Sequence, residues 1–166
     1  MQVGASPCNR WFTLALICGI LFSGISSAQA APTKGTLSHA KGNLTLAYAY
    51  LVQGPDMVSQ KTIRRIVFSP TDLGAKLQAC ATMSCVDSAM TEGMIVDMDA
   101  GPRLNYWMVL NKGLVQYSGT QEPTSLKATA NDPKHVAGKL AFDDSSSTGP
   151  KVDVDFDAVL AKQFTK

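Results

Sequence analysis

Histidine is scarce in this chain, and so are cysteine and tryptophan. Its 166 residues include two histidines (His39 and His135), four cysteines and two tryptophans. No Cys-x-x-Cys pair, internal repeat or linker long enough to divide the chain is present. Charge of one sign is also lacking. Removing Arg10, which falls in the leader described next, leaves fourteen basic residues against thirteen acidic ones, a net of +1. Such a balance selects no polyanionic partner, so nucleic acid is not expected. Long apolar runs are absent except for one.

That run is Trp11 to Ile25. It follows a short start with a single charge, Arg10, and precedes Ser26-Ser27-Ala28-Gln29-Ala30, which has small residues at −3 and −1 of a cut before Ala31. These are the three parts of a secretory signal peptide. The run is shorter than the ~20 residues needed to cross a bilayer. Residues 1–30 are therefore expected to be removed, leaving 31–166 as a single β-rich domain, periplasmic or secreted, with no membrane span. Cys8 and Cys18 leave with the leader. Cys80 and Cys85 remain, and an oxidising compartment predicts a disulfide between them.

Short alternating runs divided by turn residues predict an all-β domain. Leu44, Leu46, Tyr48 and Tyr50 fall on one face of a strand, and residues 63–68 give another. Met94, Val96 and Met98 alternate against Ile95, Asp97 and Asp99, and Leu104–Leu110 alternates in the same way. Asn111-Lys112-Gly113 reads as a hairpin turn, and later strands are expected at 124–130, 136–142 and 152–157. This spacing predicts an antiparallel β-sandwich, immunoglobulin-like, or a small barrel. One segment departs from the pattern: Ser69-Pro70-Thr71-Asp72 is suited to capping a short helix near 71–79. Positions five apart on a helix point about 140° away from each other, so a Cys80–Cys85 bridge requires the helix to end between them. Residues 51–62 and 143–151 read as exposed loops.

The stretch Val136-Ala137-Gly138-Lys139-Leu140-Ala141-Phe142, with Lys151-Val152-Asp153-Val154-Asp155-Phe156-Asp157-Ala158 after a polar tip, resembles the closing hairpin of small secreted bacterial β-sandwich proteins of unknown function. The resemblance covers about a fifth of the processed chain. It implies an envelope-facing β domain and brings no catalytic residue with it.

Each residue group with possible chemistry has a competing structural reading. Thioethers of Met90, Met94 and Met98, with His39 or His135, suit a soft metal such as Cu(I). The period-two alternation around Met94 and Met98 instead points them into a β core, where methionine fills gaps. Asp153, Asp155 and Asp157 resemble the start of a calcium loop but lack its glycine at position six and glutamate at position twelve; on a strand they form a solvated acidic face. Arg64 and Arg65 are neighbours on a strand, so they point to opposite faces and make no flat basic patch. Ser145–Ser147 lacks the sharp turn that positions a nucleophile. Asn105 and Trp107 share one face of a strand and suit a partner contact if that face is open; if both faces are covered, Trp107 is core instead, the reading the strand pattern favours. The expectation is an exported, non-catalytic domain without a cofactor, binding an envelope protein or small ligand. The alternatives are a methionine–histidine copper binder and a carrier whose apolar ligand lies among Tyr48, Tyr50, Phe68 and Tyr106.

Overall fold

The computed structural model describes Met1 and residues 31–165. Apart from Met1, the expected signal peptide lies outside the described residues.

The alternating runs form nine strands: β1 (Ala31–His39), β2 (Gly42–Pro55), β3 (Thr62–Ser69), β4 (Gly93–Asp97), β5 (Leu104–Leu110), β6 (Val115–Gln121), β7 (Leu126–Asp132), β8 (His135–Asp143) and β9 (Lys151–Gln163). They do not separate into the two stacked sheets of a sandwich. They make one sheet in the order β6-β5-β4-β3-β2-β1-β9-β8-β7, antiparallel along that order with an added parallel contact of β2 with β9, and curled into a half-barrel. The reason lies in β1, which pairs with β2 on one side and β9 on the other and so joins the two arms. Gly35 permits that close approach, since a Cβ there would lie 2.4 Å from Val154 Cα. The margins β6 and β7 are consecutive in sequence. The four residues between them span at most about 17 Å, so the sheet must curl until its edges approach each other.

The curl encloses an inner cluster. Phe68 of β3 meets Phe156 of β9 edge to face at 5.1 Å, and Tyr106 of β5 lies 5.0 Å from Phe142 of β8. Leu37, Leu51, Ile66, Met94, Met108, Leu140 and Val154 fill the space between. Each mouth of the half-barrel is pinned. At one, the Tyr106 hydroxyl donates to Asp144, Tyr117 Oη to the Ser147 carbonyl at 3.2 Å, and Asn111 Nδ2 to the Lys41 carbonyl at 3.0 Å. At the other, Arg64 grips Asp99 through Nε at 2.7 Å and reaches Asn131 Oδ1 of β7 at 2.6 Å.

A second cluster lies on the outer face of β2–β5, beneath two short helices, α1 (Gly74–Ala79) and α2 (Met83–Ala89). Leu73, Leu77, Met83, Val86 and Met90 cover Tyr50, Val52, Ile63, Val67 and Ile95. The expected helix near 71–79 begins later, at Gly74, and its N-cap, Leu73, makes no side-chain cap bond; Asp72, one residue further back, accepts from the Gly74 amide at 2.7 Å in a local turn before the helix. Gly93, at φ +138°, lets the chain re-enter the sheet under Met90, where a Cβ would fall 2.1 Å from the Phe68 carbonyl oxygen. Cys80 ends α1, Cys85 lies in α2, and the two are joined with their Cα atoms 5.4 Å apart. Lys162 of β9 donates to the carbonyls of Gln78, at 2.5 Å, and Cys80, satisfying the end of α1.

Two expectations are corrected here. The first half of the 51–62 loop is strand, since β2 continues to Pro55 with Leu51 and Val52 fully buried. Leu44, Leu46, Tyr48 and Tyr50 do not share a face. The β1–β2 register shifts between Pro32 and Gly35, so Leu44 and Leu46 face the inner cluster while Tyr48 and Tyr50 face the helices.

Candidate functional site

The helices cover the outer face of the sheet only in part, and Asn105 and Trp107 stand at the limit of that cover. Cross-strand register builds the surface row by row. Arg65 of β3 lies opposite Asp97 of β4, Asp97 opposite Asn105 of β5, and Asn105 opposite Thr120 of β6. The adjoining row runs Val67, Ile95, Trp107, Ser118. Directly opposed Cβ atoms lie about 5 Å apart, so these eight residues are contiguous on the outer face, with Val67 and Ile95 buried beneath the helices and the others toward its open side. Trp107 is half-buried: one part of its ring packs on the helix-side cluster and the rest is open. Asn105 is exposed.

Between this patch and α2 lies a cleft of about 170 Å³, lined by Arg65, Asp87, Ile95, Asp97, Asn105 and Trp107. Its floor is an ion cluster. The Arg65 guanidinium holds Asp97 through two bonds, at 2.6 and 2.9 Å, and Asp87 of α2 through a third at 2.6 Å. Burial opposes the charge on Arg65, but the hydrogen bonds and charge of Asp97, with the charge of Asp87, outweigh it and hold its pKa above the ordinary value. Burial pushes the Asp87 carboxyl up, with Asp97 adding to the effect and Arg65 opposing it. Two carboxylates against one guanidinium leave the cleft one negative charge in excess. The arrangement is a concave, partly desolvated pocket with an aromatic wall, an amide at its rim and a surplus of acceptors. It is suited to receiving a donor-bearing side chain.

The other predicted residues are dispersed. Met94 is fully buried in the inner cluster and Met98 packs against that cluster, whereas Met90 lies in the helix-side cluster across the sheet. His39 is at one mouth of the half-barrel. The Lys41 amide donates to its Nδ1 at 3.1 Å, so its proton is on Nε2, which donates to the Thr148 carbonyl at 3.0 Å. His135 pairs with Asp157 at 2.6 Å on the outward face of β8 and β9. The structure therefore does not bring Met90, Met94, Met98, His39 and His135 together. Among the described residues, no three His, Cys, Asp or Glu side chains are grouped to hold a metal ion. Ser145 Oγ donates to Asp143 at 2.6 Å, and both His39 nitrogens already have partners, so these groups do not form a nucleophile–base pair. Tyr48 and Tyr50 face the helices while Phe68 and Tyr106 face the inner cluster, so the four line no common chamber. Arg64 and Arg65 point to opposite faces, as alternation requires.

A wider groove of about 680 Å³ crosses the outward face of β7–β9 and β1, where Ala137 and Gly138 leave a gap between Lys34, Lys127, Lys139 and Asp155. Its charges are solvated, Lys139 is paired with Asp153 at 2.7 Å, and it offers no exposed aromatic anchor. The Trp107 cleft is the more specific feature although it is smaller.

Alternation puts Asn105 and Trp107 on one face of a strand, as the structure has them, but it does not foretell the Arg65–Asp87–Asp97 cluster beneath them. Alternation places Arg65, Asp97, Asn105 and Trp107 outward, yet nothing local states that β3, β4 and β5 are neighbours. Compared with known proteins, this chain matches no protein family, no curated protein and no solved structure.

Proposed function

We propose that this is an exported, non-catalytic β domain that binds a partner protein at the bacterial cell envelope through the Trp107 cleft. The observation that carries the reading is the half-buried Trp107 beside exposed Asn105, at the mouth of a side-chain-sized cleft floored by Arg65, Asp87 and Asp97. Tryptophan gives a large contact area at small entropic cost and recurs among residues that dominate binding energy. The excess carboxylate favours a partner side chain that donates hydrogen bonds, with Lys and Arg suited best. The leader pattern of residues 1–30 supports export, and the partnered state of His39 and Ser145 supports a binding rather than a hydrolytic role.

The test is protection of a thiol in place. Asn105→Cys and, on the opposite margin, Lys127→Cys are each labelled with a membrane-impermeant maleimide, both in the envelope and after purification. Asn105→Cys is expected to react at least tenfold more slowly in the envelope, with Lys127→Cys unchanged. The purified chain should begin at or close to Ala31. Equal labelling of both positions in both settings contradicts the binding reading, and a chain retaining 11–25 contradicts the processing.

A further inference from the structure

The two margins of the sheet are built differently. β7 carries the devices that keep an edge strand from pairing with a stranger: Lys127 and Asp132, a register shift between Ala128 and Ala130, and Pro133 just beyond its end. β6 carries none of them. Its seven residues, Val-Gln-Tyr-Ser-Gly-Thr-Gln, include no charge and no proline, and they pair one for one with β5 without a bulge. Among the described residues no strand occupies its outer side. A regular, uncharged edge of this length is a template for another strand.

We propose that the occupant is a second copy of this chain, with two β6 strands pairing antiparallel about a two-fold axis at Ser118. The strand is self-complementary in that register. Ser118 falls opposite Ser118 of the second copy, Gln116 opposite Thr120, and Tyr117 opposite Gly119, so a large side chain meets a small one and no like charges meet. An isologous contact of this kind closes at two copies. It joins the two sheets into one of eighteen strands. It also sets the two Trp107 rows on the same face, because Trp107 is the register partner of Ser118 in each copy. This pairing does not depend on the Trp107 cleft being a partner site.

Sedimentation of the purified exported protein over a wide concentration series tests the association, and engineered cysteines test the register. The mass is expected to rise toward twice that of the monomer. Ser118→Lys, which places two ammonium groups opposite each other, should hold the protein at the monomer mass while its circular dichroism is unchanged. Thr129→Lys on β7 should leave the dimer intact. Directly opposed Cα atoms in an antiparallel pair lie within disulfide reach. Ser118→Cys alone should therefore form an interchain bridge, Gln116→Cys alone should not, and Gln116→Cys mixed with Thr120→Cys should. A monomer at every concentration, a folded Ser118→Lys dimer, or equal cross-linking of Ser118→Cys and Gln116→Cys would each overturn the proposal.

Discussion

Arg65 carries a charge into a place where the sheet buries Val67 and Ile95 beside it. Its side chain is only 12 % exposed, and both carboxylates it holds belong to other elements. Removing one partner of a buried ionic group leaves uncompensated charge, at a cost of about 3–5 kcal/mol. Arg65→Ala is expected to lower unfolding free energy by about 3 kcal/mol, the lower end of that range because Asp87 is partly solvated. Urea denaturation checks this, and a loss comparable to that of an exposed pair such as Arg103–Glu122, under about 1 kcal/mol, would refute it. The tyrosines supply a pH test. Burial pushes the Tyr50 phenol up to about 12, with its 2.5 Å bond to Asp72 adding to the shift, and burial pushes Tyr106 up as well, reinforced by Asp144. A raised phenol contributes stability that is complete below its unfolded value near 10 and is lost as pH rises through the folded one. Ultraviolet titration of the folded protein should therefore show a late phenolate component that Tyr50→Phe diminishes, with stability declining as pH rises above about 10. On the acid side the sign reverses. Asp99 beside Arg64 and Asp72 beside Tyr50 are held below the usual carboxylate range, so their contribution is lost as pH falls through those depressed values.

At the scale of elements, the strands were legible because alternation of apolar and polar side chains directly reflects burial on one face. Residues 63–68, 104–110 and 152–157 all lie in strands near the expected bounds. The signal failed where both faces are covered. In β2, Ala49 to Val52 are all buried, so period two vanishes and the segment reads as a loop beyond Tyr50. It failed again at α2, a segment only two turns long in which Met83 and Val86 alone are buried. The disulfide was legible from the pair of cysteines left outside the expected leader, and the condition placed on it holds, since α1 ends at Ala79 and α2 starts at Met83. The bridge closes a small loop that fixes both helices over the outer cluster. Its reduction should cost about 2 kcal/mol and leave the nine-stranded sheet folded. Hydrogen exchange should then accelerate in 74–89 and remain unchanged in β8 and β9. Global unfolding on reduction would show that the helices hold the sheet together rather than merely covering it.

At the scale of the molecule, the single curled sheet was not legible. A sandwich and a half-barrel present the same alternating strands, and what joins the two arms here is β1 pairing on both sides together with a parallel contact of β2 with β9. That choice rests on contacts between residues more than a hundred positions apart, such as Lys34 with Asp155. The same distance hid the cleft. Trp107 was identifiable as lying on the face opposite Tyr106, but its surroundings depend on β3, β4 and α2 coming together. The helices cover the outer face over β2–β5 and leave β1, β7 and β8 uncovered, and Trp107 of β5 stands at the limit of that cover toward the β6 margin. The most direct measurement is photo-cross-linking from that boundary in the intact envelope, with a photoreactive amino acid at Asn105 and a control at Lys127. The account predicts a discrete adduct of defined mass from Asn105, absent from Lys127 and lost when Trp107→Ala is added. The same adducts from both positions, or an Asn105 adduct indifferent to Trp107, would contradict it.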